Sequence, residues 1–315
     1  MNTSSNALWQ SATAFEDFEL RSHRFRPEQR PLYFHYLGLR PDSVALDAGC
    51  GTGVFTRYLA AGLEAGHITG FDISEAFLAY GRERLRALGL LRKARLDWAD
   101  GYRLPYADDS FDAVTNYTYL GVLSDPEAGL RELIRVCRPG GVVSCVVATN
   151  QLPGVHWQGD YPFPEADELQ RLAAWENRLF TLGGSGVPFR DAEQGWHAFR
   201  YPKLFACRGL REIHLYPMAH LLCLNDPDRP AEERKTLALA ETDSELAWLG
   251  ERYAQNQAAY ARNGFGIAEY ERLRRLLLRK RAYLAEHFAE DDSFEWFGGY
   301  NFIVAGVKPK EADAK

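Results

Sequence analysis

The segment from Val44 to Gly53 constrains the fold most, because a short apolar run ends there in glycines at every second position. The apolar run predicts a buried strand, and Asp47 stands at its end. Alternating glycines let backbone amides approach a ligand that a Cβ atom would keep away, and they adopt positive φ without steric cost. The dinucleotide fingerprint G-x-G-x-x-G is excluded, because counting from Gly49 places Val54 where it requires glycine. The segment therefore predicts a ligand-binding turn, with a tight turn that binds nothing as the alternative.

The surrounding region alternates strand-like runs with amphipathic helical stretches, which predicts an α/β fold with a parallel sheet covered on both faces. Ser74 and Asp125 are predicted helix N-caps, Gly89 a helix end, and the run 139–141 a break before the fifth strand. The predicted strands are 43–47, 67–72, 94–97, 111–116 and 141–148, and the predicted helices are 54–61, 74–88 and 126–136.

Beyond residue 150 the pattern becomes longer, aromatic-rich and mainly helical. Apolar spacing predicts helices over 245–262 and 267–288, and strand-like runs return at 210–216 and 300–307. A basic run at 272–281 has acidic neighbours on the same helix, which favours a solvated, salt-bridged face over a phosphate-binding track.

Bulk composition argues against several partners. The formal charge of −6 gives no general attraction to nucleic acid or anionic membrane. The five cysteines include no C-x-x-C pair, so neither a disulfide framework nor a zinc site is indicated. The N-terminal residues lack a signal-peptide pattern, and no run of 18 apolar residues occurs. We expect a soluble, cytoplasmic protein without a metal.

Residues 43–148 resemble the class I S-adenosylmethionine-dependent methyltransferases, in particular the group that contains quinone-biosynthesis and related small-molecule enzymes. The resemblance covers about a third of the chain and rests on five motifs in family order. It implies a seven-stranded, mainly parallel Rossmann-like sheet in the order 3-2-1-4-5-7-6, with a helical cap built from insertions. The motifs are Asp-Ala-Gly-Cys-Gly-Thr-Gly at 47–53, Gly-Phe-Asp-Ile-Ser at 70–74, Ala-Asp-Gly-Tyr-Arg-Leu-Pro-Tyr at 99–106, Ser-Phe-Asp-Ala-Val at 110–114 and Arg-Val-Cys-Arg-Pro-Gly-Gly at 135–141.

The resemblance also implies which residues bind the cofactor, S-adenosyl-L-methionine. Asp72 would accept the ribose hydroxyls, Ile73 would face the adenine ring, and Asp100 would accept the adenine amino group. Asp47 would orient the ammonium, and Asn116 would lie at the methionine portion. The family more often has Gly-Asp-Ala where this chain has Ala-Asp-Gly at 99–101. The complete predicted cofactor set is Asp47, Gly49, Cys50, Gly51, Gly53, Asp72, Ile73, Asp100, Gly101 and Asn116.

The acceptor side is less constrained by sequence. His156, in a loop after the fifth strand, is the candidate general base, because an imidazole accepts a proton near neutral pH. Trp157 and Tyr119 are candidate substrate contacts, with core packing as the alternative for Tyr119. We expect an N-terminal lid at 1–42, the cofactor-binding core at 43–148, caps at 149–190 and 222–293, and completion of the sheet by 191–221 and 294–310. A dimerisation surface is the alternative use of the caps, so a homodimer is a further expectation.

The resemblance implies methyl transfer by in-line displacement to a small, apolar or aromatic acceptor. Alignment in a near-attack geometry supplies roughly 7–11 kcal/mol, against about 3–5 kcal/mol from a general base, so a base is optional. A methyltransferase acting on RNA or protein, and a non-catalytic S-adenosylmethionine-binding partner subunit, are the alternatives.

Overall fold

The computed structural model describes Glu19, Ser22 and residues 25–148, 155–183, 200–288 and 295–310. The chain divides into two compact units. Unit 1 comprises Met1–Ala148, Trp196–Met218 and Asn301–Lys315, and unit 2 comprises Thr149–Gly195 and Ala219–Tyr300. Among the described helices, none combines the length and the apolar character that a bilayer span requires.

The strands form a mainly parallel sheet. The described strands are β1 (Val44–Ala48), β2 (His67–Asp72), β3 (Ala94–Trp98), β4 (Phe111–Asn116), β5 (Cys137–Ala148), β6 (Val155–Trp157), β7 (Arg211–Cys223) and β8 (Trp296–Val307). The order β3-β2-β1-β4-β5 is parallel throughout, which confirms the predicted α/β class and the order of the first five strands. The strand β8 follows antiparallel to β5, with Val142 opposite Val307 and Ala148 opposite Asn301, and β7 pairs with β8 as the sixth and seventh predicted strands do.

One strand was not predicted. The short β6 pairs antiparallel with the first residues of β8, from Val155 opposite Gly298 to Trp157 opposite Trp296. Three residues carry too little periodicity to be distinguished from a loop by sequence.

The predicted break before the fifth strand is wrong in its position. The strand β5 begins at Cys137, and Gly140 lies within it at φ 77°. The pairing with β4 changes register between Phe111 and Ala113, so the glycine permits a bulge while the strand continues. The Gly140 amide donates to the Lys308 carbonyl at 2.7 Å, which ties this bulge to the end of β8.

Local capping determines the helix ends in unit 1. The Ser74 hydroxyl accepts from the Phe77 amide at 3.4 Å, and Asp125 accepts from the Ala128 amide at 2.9 Å, as predicted. Gly89 takes a left-handed φ of 67° after the helix that Ser74 begins. Within the residues that the structure describes, the helices are α1 (Arg30–Leu37), α2 (Val54–Ala60), α3 (Glu75–Ala87), α4 (Pro126–Val136), α5 (Ala166–Gly183), α6 (Tyr201–Cys207), α7 (Ala231–Arg262) and α8 (Ile267–His287), with short 3₁₀ turns at Pro27–Gln29 and Tyr119–Val122.

Unit 2 is built mainly from α5, α7 and α8. The predicted apolar faces are buried at Leu249 and Tyr260 of α7 and at Leu273 and Leu277 of α8. The helix α7 begins at Ala231, well before the predicted start at 245, because the preceding residues are strong helix formers without a clear apolar stripe.

The basic run on α8 has acidic partners on other segments of unit 2. Arg272 donates to Glu168 at 2.9 Å, and Arg279 donates to Glu165 at 2.5 Å. Arg281 pairs with Asp243. These ion pairs agree with the predicted salt-bridged face, but the prediction is wrong for Lys280, which is fully buried.

Candidate functional site

The turn after β1 depends on the backbone freedom of its glycines. Gly49, Gly51 and Gly53 have φ values of 64°, 55° and 76°, a left-handed region that costs other residues about 1–2 kcal/mol each. The Cys50 amide donates to the Phe71 carbonyl at 2.9 Å, which holds the turn against the end of β2. The helix α2 begins directly after Gly53. The alternating glycine pattern is therefore required by the conformation that the turn adopts.

Asp47 places a carboxylate inside the protein at the base of this turn. Its side chain is 1% exposed, and one oxygen, Oδ2, accepts from the Thr56 hydroxyl at 2.6 Å. The other oxygen, Oδ1, is buried without a hydrogen-bond partner. Burial raises the pKa of Asp47 from 3.8 to about 7, the Thr56 hydrogen bond opposes that rise, and the nearby Asp72 adds to it. A buried acid with one unpaired oxygen suits a cationic ligand group.

Asp72 holds the turn from the end of β2. Its Oδ2 atom accepts from the Gly51 amide at 2.9 Å, and its Oδ1 atom accepts from the Ser74 amide at 2.9 Å. Burial raises the pKa of Asp72, while these amides and that of Ile73 lower it. Each carboxylate oxygen has a second lone pair, so the carboxylate supports the turn and retains capacity for ligand hydroxyls.

The segment predicted to hold adenine lies beside an exposed apolar pair. Ile73 is 62% exposed, and the Trp98 indole donates to its carbonyl at 2.9 Å. Asp100 is exposed, and its carboxylate accepts from the Tyr102 amide at 2.9 Å. Gly101 lies between Asp100 and Tyr102 in the chain. An exposed Ile and Trp at strand ends offer the apolar surface that a purine ring needs.

Asn116 is engaged within the sheet. It is fully buried, its amide nitrogen donates to the Ser144 carbonyl at 3.0 Å, and its oxygen accepts from the Cys145 thiol at 3.0 Å. Both ends of the amide therefore link β4 to β5. Its predicted contact with the methionine portion of the cofactor stays a prediction.

Tyr119 lies against the glycine turn. It is 8% exposed in the 3₁₀ turn after β4, and its ring meets Phe71 edge-on at 5.7 Å between centroids. A methyl group added at Gly49 or at Gly101 would overlap the Tyr119 side chain. Its hydroxyl is buried without a hydrogen-bond partner, and burial raises the pKa of the phenol above its usual range.

Comparison with known proteins agrees with this geometry. Residues 45–141 match the family model described as a methyltransferase domain. This region of the chain is therefore similar to methyltransferase domains. S-adenosylmethionine is the cofactor that the sequence resemblance implies for such a domain.

The similarity to the curated relatives covers about a third of the chain. A demethylmenaquinone methyltransferase of Bacillus mycoides (strain KBAB4) is 39% identical over 111 residues, which are 35% of this chain and 46% of that protein. One of Staphylococcus aureus (strain JH9) is 37% identical over 111 residues, covering 35% and 45% of the two chains. The chain thus spans less than half the length of these relatives. A solved S-adenosylmethionine-dependent methyltransferase of Aquifex aeolicus is 20% identical, and the match covers 62% of this chain and 85% of that chain with a TM-score of 0.44.

The side chains of the methyltransferase domain fit the cofactor. The unpaired Asp47 oxygen is suited to the ammonium of the methionine moiety, and the remaining lone pairs of Asp72 are suited to the ribose hydroxyls. The exposed Ile73 and the carboxylate of Asp100 provide an apolar face and an acceptor for adenine. These assignments remain predictions for the individual residues.

In unit 2, His156 belongs to a buried polar cluster that sequence did not reveal. Its Nε2 atom lies 2.8 Å from Glu295 Oε1, and its Nδ1 atom lies 3.3 Å from the side-chain nitrogen Nε2 of Gln158. The Lys280 ammonium donates to Glu295 at 2.6 Å and to Gln158 at 2.7 Å. The side-chain amide of Gln158 also donates to Glu245 at 2.6 Å. We define these five side chains as the unit 2 polar cluster.

The unit 2 polar cluster is held together by charge. Burial alone would raise the pKa of Glu295, but Lys280 and His156 outweigh burial and hold the pKa at about 2. His156, Glu245 and Glu295 also place possible metal-ligand atoms within 4.8 Å of one another. The Lys280 ammonium lies 3.5 Å from Glu245 as well as beside Glu295, so a cationic side chain already pairs with both carboxylates.

Three contributors to the donor site escaped the sequence analysis. Thr56 supplies the hydroxyl that binds Asp47, and Trp98 lies beside Ile73. Arg57, which is 6% exposed, donates to the Thr52 carbonyl at 2.9 Å and to Glu19 at 2.8 Å. The position of Trp98 directly after a predicted strand was a usable signal, whereas nothing in the sequence of α2 indicated the partners of Arg57.

Proposed function

We propose that this chain is a methyltransferase that transfers the methyl group of S-adenosylmethionine to a small organic acceptor. The observation that carries the proposal is the buried Asp47 carboxylate with one unpaired oxygen, at the base of a turn built from three left-handed glycines. Such a carboxylate is unfavourable in the unliganded chain and becomes favourable when a cationic group pairs with it. An ordinary strand-to-helix turn has no need of it.

The residues of the donor site have binding and orienting roles in this proposal. When bound, S-adenosylmethionine supplies a methyl group that is already activated on a sulfonium centre. Asp47 would fix the ammonium end, and Asp72 would fix both the ribose and the turn. Rigid placement of the donor is the main contribution that such a reaction requires of a protein.

For the acceptor, we propose an apolar or aromatic molecule. The relatives are demethylmenaquinone methyltransferases, whose name describes a quinone acceptor, although the similarity covers only about a third of this chain. Trp157 of unit 2 is 36% exposed and offers an aromatic contact. The cap, substrate-contact and homodimer predictions stay predictions.

His156 remains the candidate base, with a specific constraint from its neighbours. The Glu295 carboxylate accepts a hydrogen bond, which assigns the proton to Nε2, and the Gln158 amide then donates to Nδ1. To act as a base, His156 must therefore first lose the hydrogen bond that Gln158 donates to its Nδ1 atom. Replacing His156 with Gln should lower kcat by 10²-fold or more if the base is used. An unchanged kcat would assign His156 to structure alone.

Two measurements test the function as a whole. Isothermal titration calorimetry with S-adenosylhomocysteine should give saturable heat, which Asp72→Asn should weaken. Labelled S-adenosylmethionine, offered with quinones, phenols and other small acceptors, should give a labelled product detectable by mass spectrometry. Bulk RNA and bulk protein serve as the comparison acceptors, and exclusive labelling of either would overturn the small-molecule proposal. Absence of binding in a folded sample would overturn the function itself.

A further inference from the structure

The donor-binding segments contain a bulky side chain where glycines leave room for a ligand. Gly49 and Gly101 belong to the two segments that face methionine and adenine in the proposed arrangement. At both glycines, the space beyond the Cα atom is filled by Tyr119. The tyrosine ring lies over Gly49, and its hydroxyl lies over Gly101. A ligand that used the close backbone approach at these glycines would meet this ring.

The Tyr119 hydroxyl gains no hydrogen bond in this position. The hydroxyl is buried, and the residue is 8% exposed, yet the hydroxyl has no hydrogen-bond partner. Buried polar groups in folded proteins are nearly always hydrogen-bonded, because an unpaired one loses its interaction with water and gains nothing. The phenol also lies near the carboxylates of Asp72 and Asp100. Leaving this position would restore hydrogen bonding to the hydroxyl.

The backbone directly before Tyr119 is strained as well. Thr118 has φ 62°, a left-handed conformation that a β-branched residue rarely adopts. The Thr118 amide donates to the Val146 carbonyl at 2.9 Å, which fixes the chain up to this point. A change at Thr118 would relieve the strain and redirect the tyrosine side chain while β4 stays in place.

We infer that Tyr119 belongs to the donor site, where its side chain fills the donor pocket of the unliganded chain and is displaced when S-adenosylmethionine or S-adenosylhomocysteine binds. The inference places Tyr119 among the donor-site residues, whereas the sequence predicted a contact with the acceptor. It rests on the proposed donor site and is independent of which acceptor the enzyme uses. The apparent affinity for donor is then reduced by the fraction of molecules in which the tyrosine occupies the pocket.

Titration calorimetry with S-adenosylhomocysteine tests the inference. Tyr119→Ala should bind at least tenfold more tightly than the wild-type chain, and Tyr119→Phe, which keeps the ring and removes the unpaired hydroxyl, should bind no more tightly than the wild-type chain. Tyr201→Ala is the matched control, because Tyr201 is buried in the same hydrophobic cluster and its loss creates a comparable cavity. That control should leave the affinity within twofold. Equal or weaker binding by Tyr119→Ala, or a change only in the KM for acceptor, would overturn the inference.

Fluorine NMR tests the displacement without relying on the stability of the alanine variant. The chain is labelled with 3-fluorotyrosine, and the Tyr119 resonance among the 16 tyrosines is the one missing from Tyr119→Phe. Saturation with S-adenosylhomocysteine should shift this resonance and give it the H₂O/D₂O isotope shift of an exposed ring. If the resonance keeps its buried character while the ligand saturates the wild-type chain, the inference fails and the donor site stands. If neither wild type nor Tyr119→Ala binds, both fail.

Discussion

Replacing Asp47 with Asn should make the unliganded protein more stable at alkaline pH while weakening donor binding. The carboxylate is 1% exposed, and only its Oδ2 atom has a partner, the Thr56 hydroxyl. In the variant, the Asn oxygen would accept from Thr56, and the neutral amide would take the position of the charged group. The substitution thus imitates the protonated acid at every pH.

The magnitude follows from the raised pKa of Asp47. Each pKa unit corresponds to about 1.36 kcal/mol, so a rise from 3.8 to about 7 disfavours the ionised folded form by about 4 kcal/mol. The folded chain binds more protons than the unfolded chain between these two values, so wild-type stability falls as pH rises from about 4 to 7. Between pH 5 and pH 8 the fall is about 3 kcal/mol.

The Asn variant lacks this pH dependence but leaves amide hydrogens unpaired, which costs about 1–3 kcal/mol. Its free energy of unfolding should therefore be close to the wild-type value at pH 5. At pH 8 it should exceed the wild-type value by about 1–3 kcal/mol.

Urea unfolding followed by circular dichroism at pH 5, 6, 7 and 8 measures the difference. Asp72→Asn is the comparison variant, because its carboxylate accepts from the Gly51 and Ser74 amides and its loss should destabilise the turn at every pH. A stability difference between Asp47→Asn and wild type that stays constant from pH 5 to pH 8 would refute the reasoning. Calorimetry with S-adenosylhomocysteine should show at least tenfold weaker binding by Asp47→Asn.

Three further outcomes follow from the structure. Lys280→Met should lower the free energy of unfolding by about 3–5 kcal/mol at pH 7, because Glu295 keeps a buried charge without its ammonium partner; an effect below 1 kcal/mol would contradict this. The pKa of Glu295 is about 2, below its ordinary 4.5, so the stability that its ionised form contributes above pH 4.5 should be lost as pH falls toward 2. In acid unfolding experiments, Lys280→Met should make the free energy of unfolding depend less on pH in this range. Gly89→Ala should lower the free energy of unfolding in urea by about 1 kcal/mol because of the left-handed φ, since an added methyl group meets no atom there. Gly89→Asn should lower the free energy of unfolding by less.

Local sequence determined the core because its signals are local in origin. The strand periodicity, the caps at Ser74 and Asp125 and the stop at Gly89 act within a few residues, and each was found where predicted. The glycine turn was also visible, since only glycine takes its three positive φ values at no cost. Errors occurred where pairing overrode local preference, as at Gly140, which continues in β5 because Lys308 binds its amide.

The state of each side chain was decided by tertiary structure. Sequence predicted Asp47, Asn116 and Tyr119 as contacts of small molecules, but it could not show that Asn116 is engaged by Ser144 and Cys145, or that Tyr119 covers two glycines. These contacts join residues far apart in the chain, and their energies depend on burial, which periodicity does not encode. The glycine turn was therefore determined by sequence, whereas the charge state of Asp47 and the position of the Tyr119 ring were set by the packed fold.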